Sequence, residues 1–280
     1  MKVTIIGLGL IGGSMAKDMR KIGFASQITG VDNNPDHCSQ ALNHKIVDAI
    51  ATLDKGITNA DLIILAIPVL GAQKVIHALL DKIDDRTVVM DVGSTKTGIC
   101  NEIRDHPSRK NFVATHPMAG TEFSGPDAAI EGLFRQKASI ICDREQSSPE
   151  AVELVINLYH ALGMHTIYMN ASDHDVHAAY VSHISHISSF VLSLTVLEKE
   201  KSEKAILDMA SGGFESTVRL AKSSSEMWSQ IFIQNKNPMI EVIDKYSDYL
   251  TEFRQAILND DKTKIETLIQ KANEIKKALK

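Results

Sequence analysis

The chain has 280 residues, of which 44% are hydrophobic and 23% charged, with a formal net charge of -5. That is an ordinary globular composition with room for one large or two modest domains, and the negative balance excludes a general binder of nucleic acid or anionic membrane, which needs a basic field. Cys38, Cys100 and Cys142 are odd in number and lack CxxC spacing, so neither a disulfide framework nor a structural zinc site is expected.

The chain enters directly on a strand-like run at Lys2–Ile6, without the basic segment and apolar core of a secretory signal. No continuous apolar run approaches the ~20 residues of a membrane span, so a cytoplasmic protein without membrane contact is expected. Further strands are expected at 27–32, 62–67, 87–92, 111–114, 138–143 and 165–168, with helical patterns at 11–22, 35–43, 72–80 and 149–162 between them. The run Leu62-Ile63-Ile64-Leu65-Ala66 is apolar throughout, as a strand covered on both faces of a parallel sheet must be. Alternating strands and helices predict a doubly wound α/β domain. After about residue 170 the strand signals stop. Ser172 and Asp173 read as the N-cap of a long helix towards Glu200, and helical patterns follow at 203–210, 216–221, 224–235, 238–258 and 261–279. The expected division is residues 1–169, a dinucleotide-binding domain, and 170–280, an all-α domain. The stretch 190–197 is apolar nearly all round, so burial on most faces is expected, with a homodimer formed through the helical domain as the natural cover.

The run Gly7-Leu8-Gly9-Leu10-Ile11-Gly12 follows the first strand and opens a helix. Such a turn suits a pyrophosphate: the first glycine makes the turn, the second admits the phosphates, and the third packs helix on strand. The helix N-terminus adds free N–H groups and positive dipole. Asp32 comes 20 residues after Gly12, where a carboxylate accepts from both ribose hydroxyls and repels a 2′-phosphate; NAD is therefore expected over NADP.

Ligands of such sheets lie beyond the carboxyl ends of the strands. There, Ala66-Ile67-Pro68 ends the strand under the cofactor's centre, making Ile67 and Pro68 cofactor contacts, and Asp91-Val92-Gly93-Ser94-Thr95-Lys96 ends the next. His116 opens an expected irregular loop, His116-Pro117-Met118-Ala119-Gly120-Thr121-Glu122, and is the candidate base, since an imidazole accepts protons near neutral pH. Ser94 is either a hydrogen-bond partner of His116 or the cap of the following helix. On the helix after 172, Asp175 and His186 are three turns apart on one face, roughly 16 Å along the axis, with His183 about 60° away. They read as the polar wall of a cleft. His174, His177, His183 and His186 have spacings that can chelate, but without an HExxH pattern or cysteine no metal is expected. Arg219 is a plausible carboxylate clamp.

These segments, with Ser182-His183-Ile184-Ser185-His186 and Gly212-Gly213-Phe214 followed by Arg219 and Trp228, together resemble the prephenate dehydrogenase family over nearly the whole chain. The resemblance implies a Rossmann domain followed by an all-helical dimerisation domain. It also implies NAD-dependent oxidative decarboxylation of prephenate to 4-hydroxyphenylpyruvate, a step of tyrosine biosynthesis. In it His116 takes the proton of the ring 4-hydroxyl and Ser94 orients His116. Arg219 binds a substrate carboxylate, while Glu122 and Asp175 pair with the arginine and gate the cleft. His183, His186 and Gly212 belong to the substrate site, and Trp228 reaches the site from the partner subunit. Glu215 and Ser216 depart from the family pattern, which often has Lys then Asp after the phenylalanine; with that cation gone, arogenate is the alternative substrate. No regulatory ACT domain or fused mutase is expected within 280 residues. A different enzyme class, the β-hydroxyacid dehydrogenases or imine reductases, would place a catalytic lysine on the interdomain helix, where this chain has histidines and no lysine before Lys199. The non-enzyme alternative is an NAD-sensing protein or scaffold.

Overall fold

The structure, a computed structural model, describes residues 1–203 and 205–278, and the chain divides into two compact units, Met1–Asn235 and Lys236–Lys280.

The first unit is built on one eight-stranded sheet. Its strands are β1 (Lys2–Ile6), β2 (Gln27–Val31), β3 (Ala49–Ile50), β4 (Leu62–Leu65), β5 (Val88–Asp91), β6 (Phe112–Pro117), β7 (Ala138–Cys142) and β8 (His165–Met169), in the order β3-β2-β1-β4-β5-β6-β7-β8. Every pairing is parallel except β6 with β7. The order reverses between β1 and β4, the switch point at which such sheets bind dinucleotides.

Alternation along the strands makes two cores, one per face. Val3, Ile5, Leu62, Ile64 and Met90 pack with Met15 and Met19 of α1 (Leu10–Lys21) and Val155 and Leu158 of the long helix Pro149–Ala161. Ile6, Ile63, Leu65 and Val89 pack on the other face with Ile76 and Leu79 of Val69–Leu80 and Ile99 of Thr97–Glu102. In chain order the helices of this half are α1, α2 (Pro35–Asn43), α3 (Leu53–Ile57), α4 (Val69–Leu80), α5 (Thr97–Glu102) and α6 (Pro149–Ala161). The short β3 and α3 carry too few residues for a periodic signal and were not expected.

Two corrections bear on the site. β6 continues past 114 to Pro117, because it pairs antiparallel with β7, His116 opposite Ile140 and Pro117 opposite Ser139. His116 is thus a buried strand residue rather than part of an irregular loop. The helix after β8 starts earlier than expected: Asn170, not Ser172 or Asp173, is the N-cap, its side chain accepting from the Asp173 amide.

That helix comprises α7 (Ala171–Ala178), a π-helical turn (Ala179–His183) and α8 (Ile184–Glu200). The wide turn adds about one residue, which rotates everything after it by roughly 100° relative to an uninterrupted α-helix. The face-sharing of Asp175 and His186, calculated for a regular helix, does not survive it. Beyond α8 come α9 (Gly212–Val218) and α10 (Ser225–Gln234), the latter capped by Ser224. The helix expected at 203–210 is only a turn at Leu207–Met209, and Lys204 lies outside the described residues.

Burial of 190–197 is not met within the chain: the only residue of α8 that is buried is Ser189, and Val191, Leu194 and Leu197 are more than half exposed. The second unit holds α11 (Lys236–Leu258) and α12 (Lys262–Asn273), with Asp261 capping α12 and Lys264 paired with Glu252 at 2.9 Å. The helix expected to reach 279 ends in a turn at Glu274–Lys277, and residue 279 lies outside the described residues. Residues 171–235 thus group with the sheet, and the compact units do not follow the expected division at 169/170.

Candidate active site

The glycine turn is held by backbone geometry. Gly7 has φ +99°, and its amide donates to the Val31 carbonyl at 2.8 Å. A Cβ on Gly12 would lie 2.1 Å from the Gly7 carbonyl oxygen, so only glycine lets α1 approach the turn. Gly9 is different: nothing stands within 4 Å of a Cβ built there, leaving open space in front of the N-terminus of α1, which has no side-chain cap. Such a cradle fits a dinucleotide pyrophosphate. Leu10 and Ile11 are half-buried in the first turn of α1, whereas the Leu8 side chain is fully buried against Gly30. Asp32 accepts from the Leu8 amide and from the Asn34 amide, each at 2.9 Å, so its carboxylate is fixed beside the turn. Ile67 packs against Gly7, and Pro68 is the exposed N-cap residue of α4.

Three strands along the same sheet edge, at β6, lies a buried polar cluster. His116 Nδ1 is 2.8 Å from Nε2 of His174, and His174 Nδ1 is 2.8 Å from Oδ1 of Asp175. The Asp175 carboxylate also accepts the Lys96 amide at 2.7 Å and the Thr97 amide at 2.8 Å, closing the N-terminus of α5 from outside it. Burial pushes the Asp175 carboxyl up, but the hydrogen bonds from His174, Thr97 and Lys96 outweigh it and hold it below the usual carboxylate range. The Lys96 ammonium, fully buried, pairs with Asp91, whose Oδ1 accepts the Thr115 amide.

The cluster continues through Asn235, whose Nδ2 donates to the Asp175 carbonyl at 2.7 Å and lies 3.1 Å from His183 Nδ1. His183 meets Trp228 edge-on at 5.7 Å, and Trp228 stacks on His186 with centroids 3.5 Å apart. Arg219 and Glu122 form an ion pair at 2.9 Å at the open end. Burial is the main cause that pushes His116 well below 6.5, helped by His174, Lys96 and His183. His183 falls to about 4, chiefly through burial, and His186 to about 4 through burial and the Arg219 charge. His183 Nε2, His186 Nδ1, Ser189 Oγ and Trp228 Nε1 are buried without a hydrogen-bond partner, as groups awaiting one at a binding site are.

The structure brings together His116, Asp175, His183, His186, Trp228, Arg219 and Glu122 of the expected residues, and adds His174 and Asn235. Three expectations are corrected. Asp175 does not face the arginine; it is buried, and its oxygens are committed to α5 and His174. Ser94 is half-buried and makes no side-chain hydrogen bond to His116, whose partner is His174; nor does it cap α5, which starts after Lys96. Trp228 is 7% exposed against histidines of its own chain, rather than offered to a partner. Gly212 is exposed at the start of α9, and nothing within the chain stands within 4 Å of a Cβ built there. The four helix histidines do not gather as ligands, His177 being exposed. Among the described residues, His77, Asp81 and His106 have metal-ligand spacing. There the Ser108 amide donates to His106 Nδ1, which leaves Nε2 protonated towards Asp81, a hydrogen-bonded arrangement rather than a ligand set.

A glycine turn at the switch point of a doubly wound sheet, with a buried neutral imidazole at the same sheet edge, defines a nicotinamide-dinucleotide dehydrogenase. Comparison with known proteins agrees. The prephenate dehydrogenase nucleotide-binding domain pattern matches residues 15–168, and the prephenate dehydrogenase dimerization domain pattern matches residues 170–271. The chain belongs to the prephenate dehydrogenase family. Prephenate dehydrogenase of Bacillus subtilis is 30% identical over 266 residues, 93% of this chain and 72% of that protein. A crystal structure of Aquifex aeolicus prephenate dehydrogenase with hydroxyphenyl propionate and NAD+ is 29% identical, with a TM-score of 0.88 over 99% of this chain and 96% of that one. Synechocystis arogenate dehydrogenase is 26% identical, with a TM-score of 0.78 over 99% of each chain.

Proposed function

We propose that the chain catalyses the NAD-dependent oxidative decarboxylation of prephenate to 4-hydroxyphenylpyruvate. The observation that carries this reading is His116: a buried imidazole kept neutral by its surroundings, at the sheet edge shared with the glycine turn, in a cluster that runs to His186, which feels the charge of Arg219.

The residues divide the work. The glycine turn and Asp32 hold NAD, which when bound supplies the hydride acceptor. Arg219, released from Glu122, pairs with a substrate carboxylate through its planar guanidinium. His186, Trp228 and His183 pack as an aromatic group beside Arg219, and the buried Trp228 N–H without a partner is the donor there for a substrate oxygen. His116 takes the 4-hydroxyl proton as hydride departs from the carbinol carbon. The carbon–carboxylate bond then breaks, carbon dioxide leaves, and its electron pair completes the aromatic ring. Ser94, half-buried at the end of β5, is free to contact substrate or nicotinamide.

Purified full-length protein with NAD and prephenate should form NADH, followed by absorbance, with arogenate run in parallel. No turnover with either substrate would overturn the reading, and turnover with arogenate alone would move it to that substrate.

We further propose that residues 170–280 form the dimerisation domain of a soluble cytoplasmic homodimer. Val191, Leu194 and Leu197 lie exposed along one side of α8, and Ile240, Leu250 and Ile257 are exposed on α11. The helix spanning 171–200 has the length and apolarity to cross a membrane. Its His174, Asp175 and His183, however, are buried and bonded into the sheet-edge cluster, as suits a packed helix with a partner over its apolar side. Sedimentation should give twice the chain mass for the native protein, and a monomer for Leu194→Glu with Leu197→Glu; a monomeric native protein would contradict the dimer.

A further inference from the structure

The hydrogen bonds of the pair His174–Asp175 have a consequence for His116. The Asp175 carboxylate already accepts two amides and is held in its ionised form, so it has no proton to give. His174 Nδ1, 2.8 Å away, must then be the donor in that contact. A neutral imidazole with a proton on Nδ1 has its lone pair on Nε2. That atom lies 2.8 Å from His116 Nδ1, which with His174 neutral carries the proton between them. The Nε2 of His116 is left with the free lone pair.

We infer that His174 is a positioning residue that, anchored by Asp175, fixes His116 in the one tautomer whose Nε2 can accept the substrate's proton. The inference rests on His116 being the base. An isolated neutral histidine would divide itself between two tautomers and rotate; here ring orientation and tautomer are both set before substrate arrives.

Burial and the neighbouring His174, Lys96 and His183 disfavour the protonated form, so His116 waits neutral and gives up a captured proton readily. The groups that face His116 are His174 from α7, Lys96 from the turn before α5 and His183 from the π-turn. Lys96 is paired with Asp91. Asp175 is the remaining anion, one imidazole away, so protonation of His116 brings Lys96, Asp91, Asp175 and His116 together to zero net charge. A proton gained at Nε2 strengthens the Nδ1–H bond to His174, and through it the bond to Asp175, at the moment the charge forms.

The test compares His174→Gln, whose amide oxygen can still accept from His116 Nδ1, with His174→Phe, which cannot. In the full-length enzyme, His174→Phe should lower kcat by about 10²-fold, the scale of general-base catalysis. KM for prephenate and Kd for NAD should change less than about threefold, and His174→Gln should restore at least about a tenth of wild-type kcat, since it keeps the one bond that sets the tautomer. The acid limb of the kcat pH profile should move in His174→Phe and not in His174→Gln. Equal loss in the two variants, or a kcat for His174→Phe within threefold of wild type, would overturn the inference. A readout independent of turnover is nitrogen NMR of ring-labelled histidine in the wild-type protein. It should show His116 protonated at Nδ1 alone, and a spectrum showing the Nε2–H tautomer would overturn the inference even if no variant folds. Absence of turnover by wild-type protein would instead fall on the proposed reaction, with the NMR result still deciding the tautomer.

Discussion

The glycine turn and the histidine cluster lie on the same edge of one sheet and are built by opposite means. The turn is six consecutive residues, and its function is shape: one positive φ, one backbone contact that excludes a Cβ, and one open approach. The cluster draws one or two residues each from β6, α7, the π-turn, α8 and α10 with its C-cap, and its function is charge and proton placement. A backbone site tolerates no added volume but is indifferent to pH. A side-chain site tolerates changes of shape better than changes of protonation, because each buried group fixes its neighbour's hydrogen bond.

Four experiments would break or sharpen that contrast. The largest effect is expected in the cluster: His116→Asn should cut kcat by roughly 10²–10⁴-fold while Kd for NAD, measured by calorimetry, stays unchanged. A near-normal rate would place the base elsewhere. Next, Gly12→Ala should strike the turn alone. Forcing a methyl onto the Gly7 carbonyl is overpacking at a cost of about 1–3 kcal/mol, or about a 5–150-fold weaker Kd for NAD when it is expressed in binding; unchanged NAD affinity and melting temperature would refute the close approach. Third, stability should depend on pH through the cluster. His183 and His186 titrate at about 4 in the folded chain against 6.5 unfolded, so the unfolded chain binds more protons between those values. Their contribution is complete above about pH 6.5 and is lost as pH falls towards about 4. Urea denaturation should show that loss, and it should shrink in His183→Asn; a flat profile from about pH 7 to about pH 5 would contradict the buried neutral histidines. The smallest effect is expected at the rim. Glu122→Gln removes an exposed ion pair, so the melting temperature should not move measurably, whereas KM for prephenate should shift a few-fold because Arg219 no longer has a competing carboxylate. A large drop in melting temperature would make the pair structural.

The same contrast explains what could be read before the fold was known. The turn is contiguous and its spacing to Asp32 is fixed by one strand, so motif and cofactor class were legible together. The apolar run at 62–65 announced a strand covered on both faces for the same local reason. His174 was visible only as one more histidine, weighed as a metal ligand. The signal that could have raised it was its place directly before a carboxylate in the first turns of a helix. What hid its role was the antiparallel pairing of β6 with β7, which carries His116 into the sheet and against α7. Asp175 and His186 were set on one face because a helical wheel cannot foresee a π-turn, and the pairing of Asp175 with the arginine was carried over from the family resemblance. Asn235 had no signal, since its contacts arise from where α10 ends. The expected burial of 190–197 failed for a different reason: apolar periodicity shows that a face needs cover, not whether this chain provides it.

The central claim is spatial, that His116 and Arg219 hold the two ends of one substrate beside the nicotinamide. A crystal structure of this chain with NAD and a 4-hydroxyphenyl carboxylate analogue tests it most directly. The account predicts the phenolic oxygen within about 3 Å of His116 Nε2, His174 still on Nδ1, and the Arg219 guanidinium moved from Glu122 to the analogue's carboxylate. An analogue bound with its hydroxyl away from His116, or with Arg219 still locked to Glu122, would contradict it.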